Sequence, residues 1–260
     1  MEITTVIGCR NMCRYCPQTL LINEYGRHSD AGVMTFNTFK TCLDKIPKDV
    51  RIDFSGMAEP WLNKDCTKML LYAHEQGFKH IAVFTTCMGM TEKDLRSIWH
   101  IPFDVFYLHL ADKDRNSKIE VTNQYLKLLE LINKTNIKNK KYMTMGKLHP
   151  KLKKTFSSIV EEVKMISRAG NLETTPTINK FGPIKCCWPE GLKHNGLLPN
   201  GDVLLCSMDY GMTRVIGNLL TNNYDDLFRG KAFKQIQRLL DDPNKGDLIC
   251  RHCEYATENR

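Results

Sequence analysis

Residues 8–16 read GCRNMCRYC, and this stretch decides how the rest of the chain is interpreted. It places three cysteines, Cys9, Cys13 and Cys16, with three and then two residues between them, directly after the β-rich segment 3–7. Thiolates are soft ligands that suit iron-sulfur clusters, and a loop leaving a strand can wrap three of them around one four-iron cube. Three ligands leave the fourth iron open, whereas a closed zinc site takes four. We therefore predict an open-iron cluster here, with a zinc knuckle as the alternative.

The composition agrees with metal ligation in a reducing compartment. The chain has 260 residues, enough for one large domain or one domain with a small appendage, and 11 of them are cysteines. Without a recognisable secretory signal, so many cysteines indicate metal ligands rather than disulfides. No apolar run approaches the ~20 residues that a membrane span needs. We expect a cytoplasmic protein; its net charge of +8 does not identify a partner, and no nucleic-acid-binding module accompanies it.

Strand-like and helical patterns alternate along the chain at intervals of about 30 residues, which predicts an α/β fold with a parallel sheet. Asn63 is predicted to cap the second helix, and Thr91 with Asp94 the third. In parallel barrels the chemistry lies at the carboxyl ends of the strands, where the loop 8–16 begins. The predicted strands are 3–7, 50–54, 80–85, 104–109, 141–145 and 172–178, and the predicted helices are 35–45, 64–76, 91–99, 122–135 and 155–168.

The CxxxCxxC spacing, with Tyr15 before the last cysteine, resembles the signature of the radical S-adenosylmethionine (radical SAM) superfamily. The resemblance implies a partial (β/α)6 barrel over residues 1–175. It also implies a four-iron cluster on the three cysteines, whose open iron binds S-adenosylmethionine (SAM), and a place for Tyr15 in the cofactor site.

Two further segments fall where this family contacts SAM. Residues 55–60, SGMAEP, look like the family's glycine-rich motif, although close relatives often carry glycine in place of Ala58. The likeness implies that Glu59 accepts a hydrogen bond from the SAM ammonium. Residues 84–91, FTTCMGMT, fall where relatives face the ribose, which makes Thr86 a candidate contact. The implied SAM contacts are therefore Tyr15, Gly56, Met57, Ala58, Glu59 and Thr86.

A second group of cysteines lies near the C-terminus. The spacing from Cys187 to Cys206, the Asn200–Gly201 hairpin turn and the stretch 216–237 resemble the SPASM extension of peptide- and cofactor-maturing radical SAM enzymes. Residues 176–260 look like its shortened "twitch" form, which implies one auxiliary four-iron cluster. Structural zinc is the alternative, and Cys186 in place of Cys187 is a second open choice. The implied ligands are Cys187, Cys206, Cys250 and Cys253.

The compact layout resembles a twitch-bearing aminocyclitol dehydrogenase. This implies that a 5′-deoxyadenosyl radical, formed from SAM by a reduced cluster, abstracts hydrogen from a small polyhydroxylated or aminated substrate such as a sugar or cyclitol. Two-electron oxidation through the auxiliary cluster would follow, with a flavodoxin- or ferredoxin-type electron donor. Such an oxidation needs a proton acceptor, and His109 and Asp112 near the end of the fourth strand are candidates.

Three alternatives stay open. A radical epimerase would need a thiol that returns a hydrogen atom, and Cys87 or Cys186 would be that donor. Maturation of a ribosomally made peptide is a common role of SPASM relatives. A non-catalytic iron-sulfur or zinc scaffold would not need a carboxylate such as Glu59 in its SAM-contact loop. The sequence does not name the substrate or decide between these reactions.

Overall fold

A computed structural model describes residues 1–188 and 191–258. Its centre is a sheet in which six parallel strands follow each other in chain order, as the alternating pattern predicts. The six strands are β1 (Glu2–Ile3), β2 (Ile52–Phe54), β3 (Ile81–Thr85), β4 (Val105–His109), β5 (Lys140–Thr144) and β6 (Val160–Glu162).

Helices follow these strands and cover the sheet. Their apolar faces and the buried side chains of the strands form one large core, with Phe39, Phe54 and Phe106 among the fully buried residues. The helices are α1 (Gln18–Gly26), α2 (Phe36–Leu43), α3 (Cys66–Glu75), α4 (Glu92–Ile98), α5 (Asn123–Lys134), α6 (Lys153–Phe156) and α7 (Lys231–Asp241).

The predicted helix caps have different outcomes. The capping box is confirmed, because the Thr91 hydroxyl accepts from the Asp94 backbone N–H and the Asp94 carboxylate accepts from that of Thr91. The prediction for Asn63 is wrong, because Asp65 stands at the N-cap of α3. Asn63 is instead buried, and its amide donates to the carbonyls of Thr5 and Met34 at 3.0 and 2.8 Å. It therefore holds the loop after β1 against the chain before α2.

The sequence prediction fails around the sixth strand. The segment 155–168 is not a helix, and the segment 172–178 is not a strand. The short α6 ends at Phe156, and β6 then pairs with β5, so that Val160 faces Tyr142. The β-branched side chains of Ile159, Val160 and Val163 suit an edge strand, and tertiary pairing overrides the helical pattern there. Helix α1 is a further element that the pattern did not predict.

The C-terminal segment extends the same sheet. Its first hairpin is confirmed: β8 (Gly196–Leu197) and β9 (Asp202–Leu204) are antiparallel around Asn200–Gly201. β8 also pairs with β1 in parallel, and β10 (Val215–Asn218) completes a nine-stranded sheet. A separate ladder joins β7 (Ile184–Cys186) to β11 (Ala256–Glu258). The division at residue 175 stays a prediction, because the sheet itself is continuous.

Within residues 1–188 and 191–258, no helix combines the length and the apolar character that crossing a bilayer requires.

Candidate active site

The loop after β1 brings its three cysteines to one wall of a large cavity. Cys9, Cys13 and Cys16 all line this cavity, whose volume is about 1110 Å³. Burial raises the pKa of the Cys9 and Cys13 thiols, that of Cys13 to about 12, and the neighbouring cysteines add to the effect. The spacing read from the sequence therefore converges on one site.

Three sulfur donors on one cavity wall suit an iron-sulfur cluster. Burial disfavours the thiolate forms of Cys9 and Cys13, and a bound metal centre would supply the positive charge that stabilises them. Among the described residues, no three His, Cys, Asp or Glu side chains are grouped as ligands of one metal ion.

The loop after β2 forms the adjoining wall, with Gly56, Met57, Ala58 and Glu59 all lining the cavity. Gly56 has a φ of 68°, and a Cβ there would lie 2.4 Å from the Thr4 hydroxyl oxygen. Only glycine fits this conformation and this close approach to the chain after β1. The Thr4 hydroxyl in turn accepts from the Met57 backbone N–H at 3.2 Å. The glycine thus lets the two loops pack directly against each other.

The Glu59 carboxylate binds the neighbouring strand end. It accepts from the Thr85 hydroxyl at 2.6 Å, and from the Thr86 backbone N–H and hydroxyl at 2.7 Å each. The Trp61 backbone N–H is a further donor, at 3.4 Å. Burial raises the pKa of Glu59, although these hydrogen bonds oppose the shift. Glu59 therefore fixes the loops after β2 and β3 to each other, and its contact with the SAM ammonium stays a prediction.

Tyr15, Thr86 and His109 also line the cavity. The Thr86 hydroxyl accepts from the Asn11 amide at 2.9 Å, which ties the loop after β3 to the cysteine loop. The Tyr15 hydroxyl lies 3.2 Å from the His109 ring nitrogens, and the two rings stack with centroids 5.2 Å apart. Burial lowers the pKa of His109 to about 4, so this imidazole is neutral at physiological pH.

Two predicted catalytic residues lie away from the cavity lining. Cys87 belongs to the apolar core, where burial raises its pKa far above the usual range. Asp112 is also buried, and its carboxylate accepts from the Asn116 and Ser117 backbone N–H groups at 2.8 Å each. Asp112 therefore shapes the loop after β4, and Cys87 packs the core. Neither is placed to exchange hydrogen or protons with a bound molecule.

The C-terminal cysteines gather around Cys186 rather than Cys187. Burial raises the pKa of Cys250 to about 12, and nearby Cys253 and Cys186 add to it. Cys186 likewise contributes to the raised pKa of Cys253, and Cys250 and Cys253 to that of Cys206. The Cys187 side chain is exposed and contacts the Thr257 hydroxyl. We therefore propose Cys186, in place of the predicted Cys187, as the fourth ligand of an auxiliary site.

The comparisons with known proteins agree with this geometry. Residues 186–254 match the SPASM iron-sulfur cluster-binding domain, so the match begins at Cys186. The chain is 20% identical over 262 aligned residues to the S-adenosyl-L-methionine-dependent 2-deoxy-scyllo-inosamine dehydrogenase of Niallia circulans, covering 99% of this chain and 93% of that protein. The crystal structure of BtrN in complex with AdoMet and 2-DOIA superposes with a TM-score of 0.66 at 18% identity, covering 99% of this chain and 92% of the other. Native anSMEcpe with bound AdoMet and a peptide superposes at 0.63 with 11% identity, covering 98% and 86%.

The chain has the radical SAM fold and carries a SPASM domain.

The SPASM domain contributes to the same cavity through Trp188, His194, Ser207 and Met208. Glu2 of β1 joins this domain to the parallel sheet. Its carboxylate is bonded to His194 and accepts from Ser207 Oγ at 2.7 Å, both in the SPASM domain. The same carboxylate accepts from Ser55 Oγ and Gly56 N, at 3.0 Å each, in the loop after β2. Burial would raise the pKa of Glu2, but these partners outweigh it and lower the pKa to about 2. A charged Glu2 thus links the loop after β2 to the SPASM domain.

Several cavity residues escaped the sequence analysis. Two buried amide oxygens there, Asn11 Oδ1 and Gln18 Oε1, lack hydrogen-bond partners among the described residues, so this wall has acceptors to offer a polar ligand. Arg168 reaches the cavity from the chain after β6, and its Nε donates to the Tyr15 carbonyl at 3.3 Å. Tyr210 contacts Cys16 Sγ at 3.4 Å. Asn11 could have been singled out from its place inside the cysteine motif, but Arg168 and Tyr210 carry no sequence signal.

Proposed function

We propose that this chain is a radical SAM oxidoreductase that removes two electrons and two hydrogens from a small polyhydroxylated or aminated substrate, such as a cyclitol or sugar. The curated relative named above is a dehydrogenase of 2-deoxy-scyllo-inosamine, which is a compound of this class. We propose a flavodoxin- or ferredoxin-type protein as the electron donor. A cytoplasmic location also stays a prediction, based on the cysteine content.

One observation carries the proposal: both cysteine groups adjoin a single cavity. Cys9, Cys13 and Cys16 line it directly, and Ser207 and Met208 of the SPASM domain line it as well. The Met208 backbone N–H lies 3.4 Å from Cys206 Sγ, so the auxiliary cysteines begin immediately behind that wall. A substrate between the two sites is next to a radical generator and next to an electron acceptor. This arrangement suits oxidation, which needs both.

The cofactors and the protein divide the work. Cys9, Cys13 and Cys16 would hold a cluster that supplies the electron for SAM cleavage, and the C-terminal cysteines would hold a second cluster able to accept an electron from the substrate. The chain's own residues position the reactants and keep stray hydrogen-atom donors away from the carbon radical. The Asn11 and Gln18 amide oxygens and the loop 55–59 are placed to bind polar groups of SAM. Glu59 holds that loop against the loop after β3, which contains Thr86.

The remaining requirement is a proton acceptor for the substrate hydroxyl. His109 lines the cavity, is neutral because its pKa is about 4, and is oriented by the Tyr15 hydroxyl. A neutral imidazole can accept the proton that the carbinol loses. The Arg168 guanidinium faces the same space and can bind the substrate oxygen as it becomes negative. We therefore assign His109 the acceptor role and Arg168 an oxygen-binding role.

The alternative reactions have less support. Epimerisation needs a thiol beside the substrate, whereas Cys87 is in the core and Cys186 groups with the auxiliary cysteines. Peptide maturation would draw on structural similarity to anSMEcpe with its bound peptide. It would also draw on similarity to SuiB of Streptococcus suis bound to precursor peptide SuiA, with a TM-score of 0.61 at 12% identity over 91% of this chain and 66% of the other. At this level of sequence identity, structural similarity supports a shared fold and not a shared reaction.

The test is anaerobic turnover of reconstituted protein with SAM, dithionite and a panel of aminocyclitols and amino sugars that begins with 2-deoxy-scyllo-inosamine. We expect about one 5′-deoxyadenosine for each product that has lost two hydrogens. A variant with Cys9, Cys13 and Cys16 changed to alanine is the control and should form neither. A product isomeric with the substrate that incorporates deuterium from D2O would indicate epimerisation instead. SAM cleavage that only a peptide stimulates would indicate a maturase.

A further inference from the structure

The sulfur of Cys16 contacts the SPASM domain directly. The Tyr210 hydroxyl lies 3.4 Å from Cys16 Sγ, and Tyr210 follows the predicted auxiliary ligand Cys206 by four residues. The Gln18 amide nitrogen Nε2 donates to the same sulfur at 3.1 Å. Two polar groups therefore meet at this sulfur, and one of them belongs to the domain that carries the other cysteine group.

Packing fixes where the Tyr210 hydroxyl points. Tyr210 is almost fully buried and belongs to a small apolar cluster that includes Leu21 and Tyr25 of α1 and Met57 of the loop after β2. Cys16 packs against this same cluster. A closely packed ring has little freedom to change its rotamer, so the hydroxyl stays next to the sulfur.

A buried carboxylate fixes the backbone that carries this ring. Asp209 is almost fully buried, and its carboxylate accepts from the backbone N–H groups of Thr213 at 2.9 Å and Arg214 at 2.8 Å. Asp209 N also donates to the Cys206 carbonyl at 3.0 Å. These bonds close the loop between β9 and β10 on itself, so that Cys206 and Tyr210 are held in one compact unit.

The direction of the hydrogen bonds to Cys16 follows from the chemistry of a ligand cysteine. A thiolate bound to iron carries no proton, so the Tyr210 hydroxyl and the Gln18 amide are the donors and the sulfur is the acceptor. Such bonds are stronger when the sulfur carries more negative charge, as it does after a cluster has gained an electron. Donors to the sulfurs of a cluster therefore favour its reduced form and raise its reduction potential.

We propose that Tyr210 raises the reduction potential of the site on Cys9, Cys13 and Cys16 by donating a hydrogen bond to Cys16. The SPASM domain thereby controls how readily the SAM-cleaving site is reduced. The inference rests on the proposed function, because it assumes an iron-sulfur cluster on these three cysteines. Tyr210 itself neither gains nor loses an electron or a proton: the external reductant gives up one electron, the cluster gains it, and no atom is transferred.

The test compares two tyrosines of the same apolar cluster. Tyr210→Phe keeps the ring and removes the hydroxyl from Cys16. Tyr25→Phe is the matched control, because Tyr25 is similarly buried and its hydroxyl donates to the Ala31 carbonyl at 2.9 Å rather than to a cysteine. Wild type and both variants are reconstituted anaerobically, checked for iron content and titrated through a series of fixed potentials while EPR spectra are recorded. The signal of the first cluster is the one that changes when SAM is added, and the auxiliary signal is the internal reference.

We expect Tyr210→Phe to lower the equilibrium constant for reduction of the SAM-sensitive cluster about three- to tenfold, because a hydrogen bond to a charged sulfur is lost. A tenfold change is about 59 mV for a one-electron couple. The control variant and the auxiliary signal should stay within about twofold of wild type, since neither involves this bond. Fluorotyrosine incorporated at position 210 keeps the hydroxyl and makes it a stronger donor, so the potential should rise. This last protein provides the deciding measurement if Tyr210→Phe does not hold iron.

The inference would be overturned by an unchanged potential in Tyr210→Phe, or by an equal shift in the control variant or in the auxiliary signal. A fluorotyrosine protein whose potential does not rise would overturn it as well. These results leave the proposed function intact as long as the wild type shows a cluster signal that responds to SAM. A reconstituted wild type without such a signal would contradict the proposed function, and this inference with it.

Discussion

The first cysteine group lines the cavity and the second lies behind the wall that contains Met208, and the chain assembles the two groups in different ways. The first group comes from a single loop, residues 9–16, and the strand-end loops around Gly56 and Thr86 pack onto it. The second draws on three separate segments, at 186, 206 and 250–253, which the β7–β11 ladder and the β8–β9 hairpin bring together. The first is therefore a property of local sequence. The second depends on strand register, because a shift of one residue turns a different cysteine toward the site.

The largest effect is expected from replacing Cys186, which tests whether Cys186 or Cys187 is the auxiliary ligand. In the background that lacks the first three cysteines, Cys186→Ala should lose the auxiliary iron, whereas Cys187→Ala should retain about four irons and a reducible signal. The physical reason is strand alternation: Ile184 is buried and Lys185 exposed, so Cys186 faces inward and Cys187 outward. Iron and sulfide analysis with EPR makes the measurement. The opposite result, with iron lost only from the Cys187 variant, would reverse the assignment.

This difference also explains what could be read from the sequence. The first cysteine loop, five of the parallel strands and the capping box at Thr91 follow from local patterns, and the structure confirms those elements. The sixth strand was missed because the pairing of Val160 with Tyr142 is a tertiary contact that outweighs local propensity. Arg168 and Glu2 reach the cavity only through folding, and neither stands in a motif. Side-chain alternation counted from Ile184 separates Cys186 from Cys187. The sequence alone does not show that residues 184–186 form a strand, so this alternation could not be applied.

A smaller effect is expected from disturbing the packing that supports the first group. Gly56→Ala places a Cβ 2.4 Å from the Thr4 hydroxyl and 3.1 Å from the Thr4 Cα, at a φ of 68°. We expect about tenfold weaker SAM binding and a loss of about 1–3 kcal/mol of stability, because backbone must move. Equilibrium binding of SAM and thermal unfolding report both quantities. Gly26→Ala is the matched control, since nothing lies within 4 Å of its added Cβ, and it should leave both unchanged or slightly improved. Equal losses in the two variants would mean that this close approach does not matter.

The smallest effect concerns His109, which stacks on Tyr15 of the first group. Burial lowers its pKa from 6.5 to about 4, so the unfolded chain binds more protons than the folded one between these values. The stability that depends on neutral His109 is therefore fully present above about pH 6.5 and is lost progressively as the pH falls toward 4. His109→Gln keeps a polar side chain beside the Tyr15 hydroxyl but does not titrate. Between pH 7.5 and 5.5 the wild type should lose about 1 kcal/mol relative to this variant, which corresponds to a few degrees in Tm. Comparing the two proteins cancels the acid lability of the clusters, and parallel Tm curves would show that His109 is exposed enough to titrate normally in the folded state.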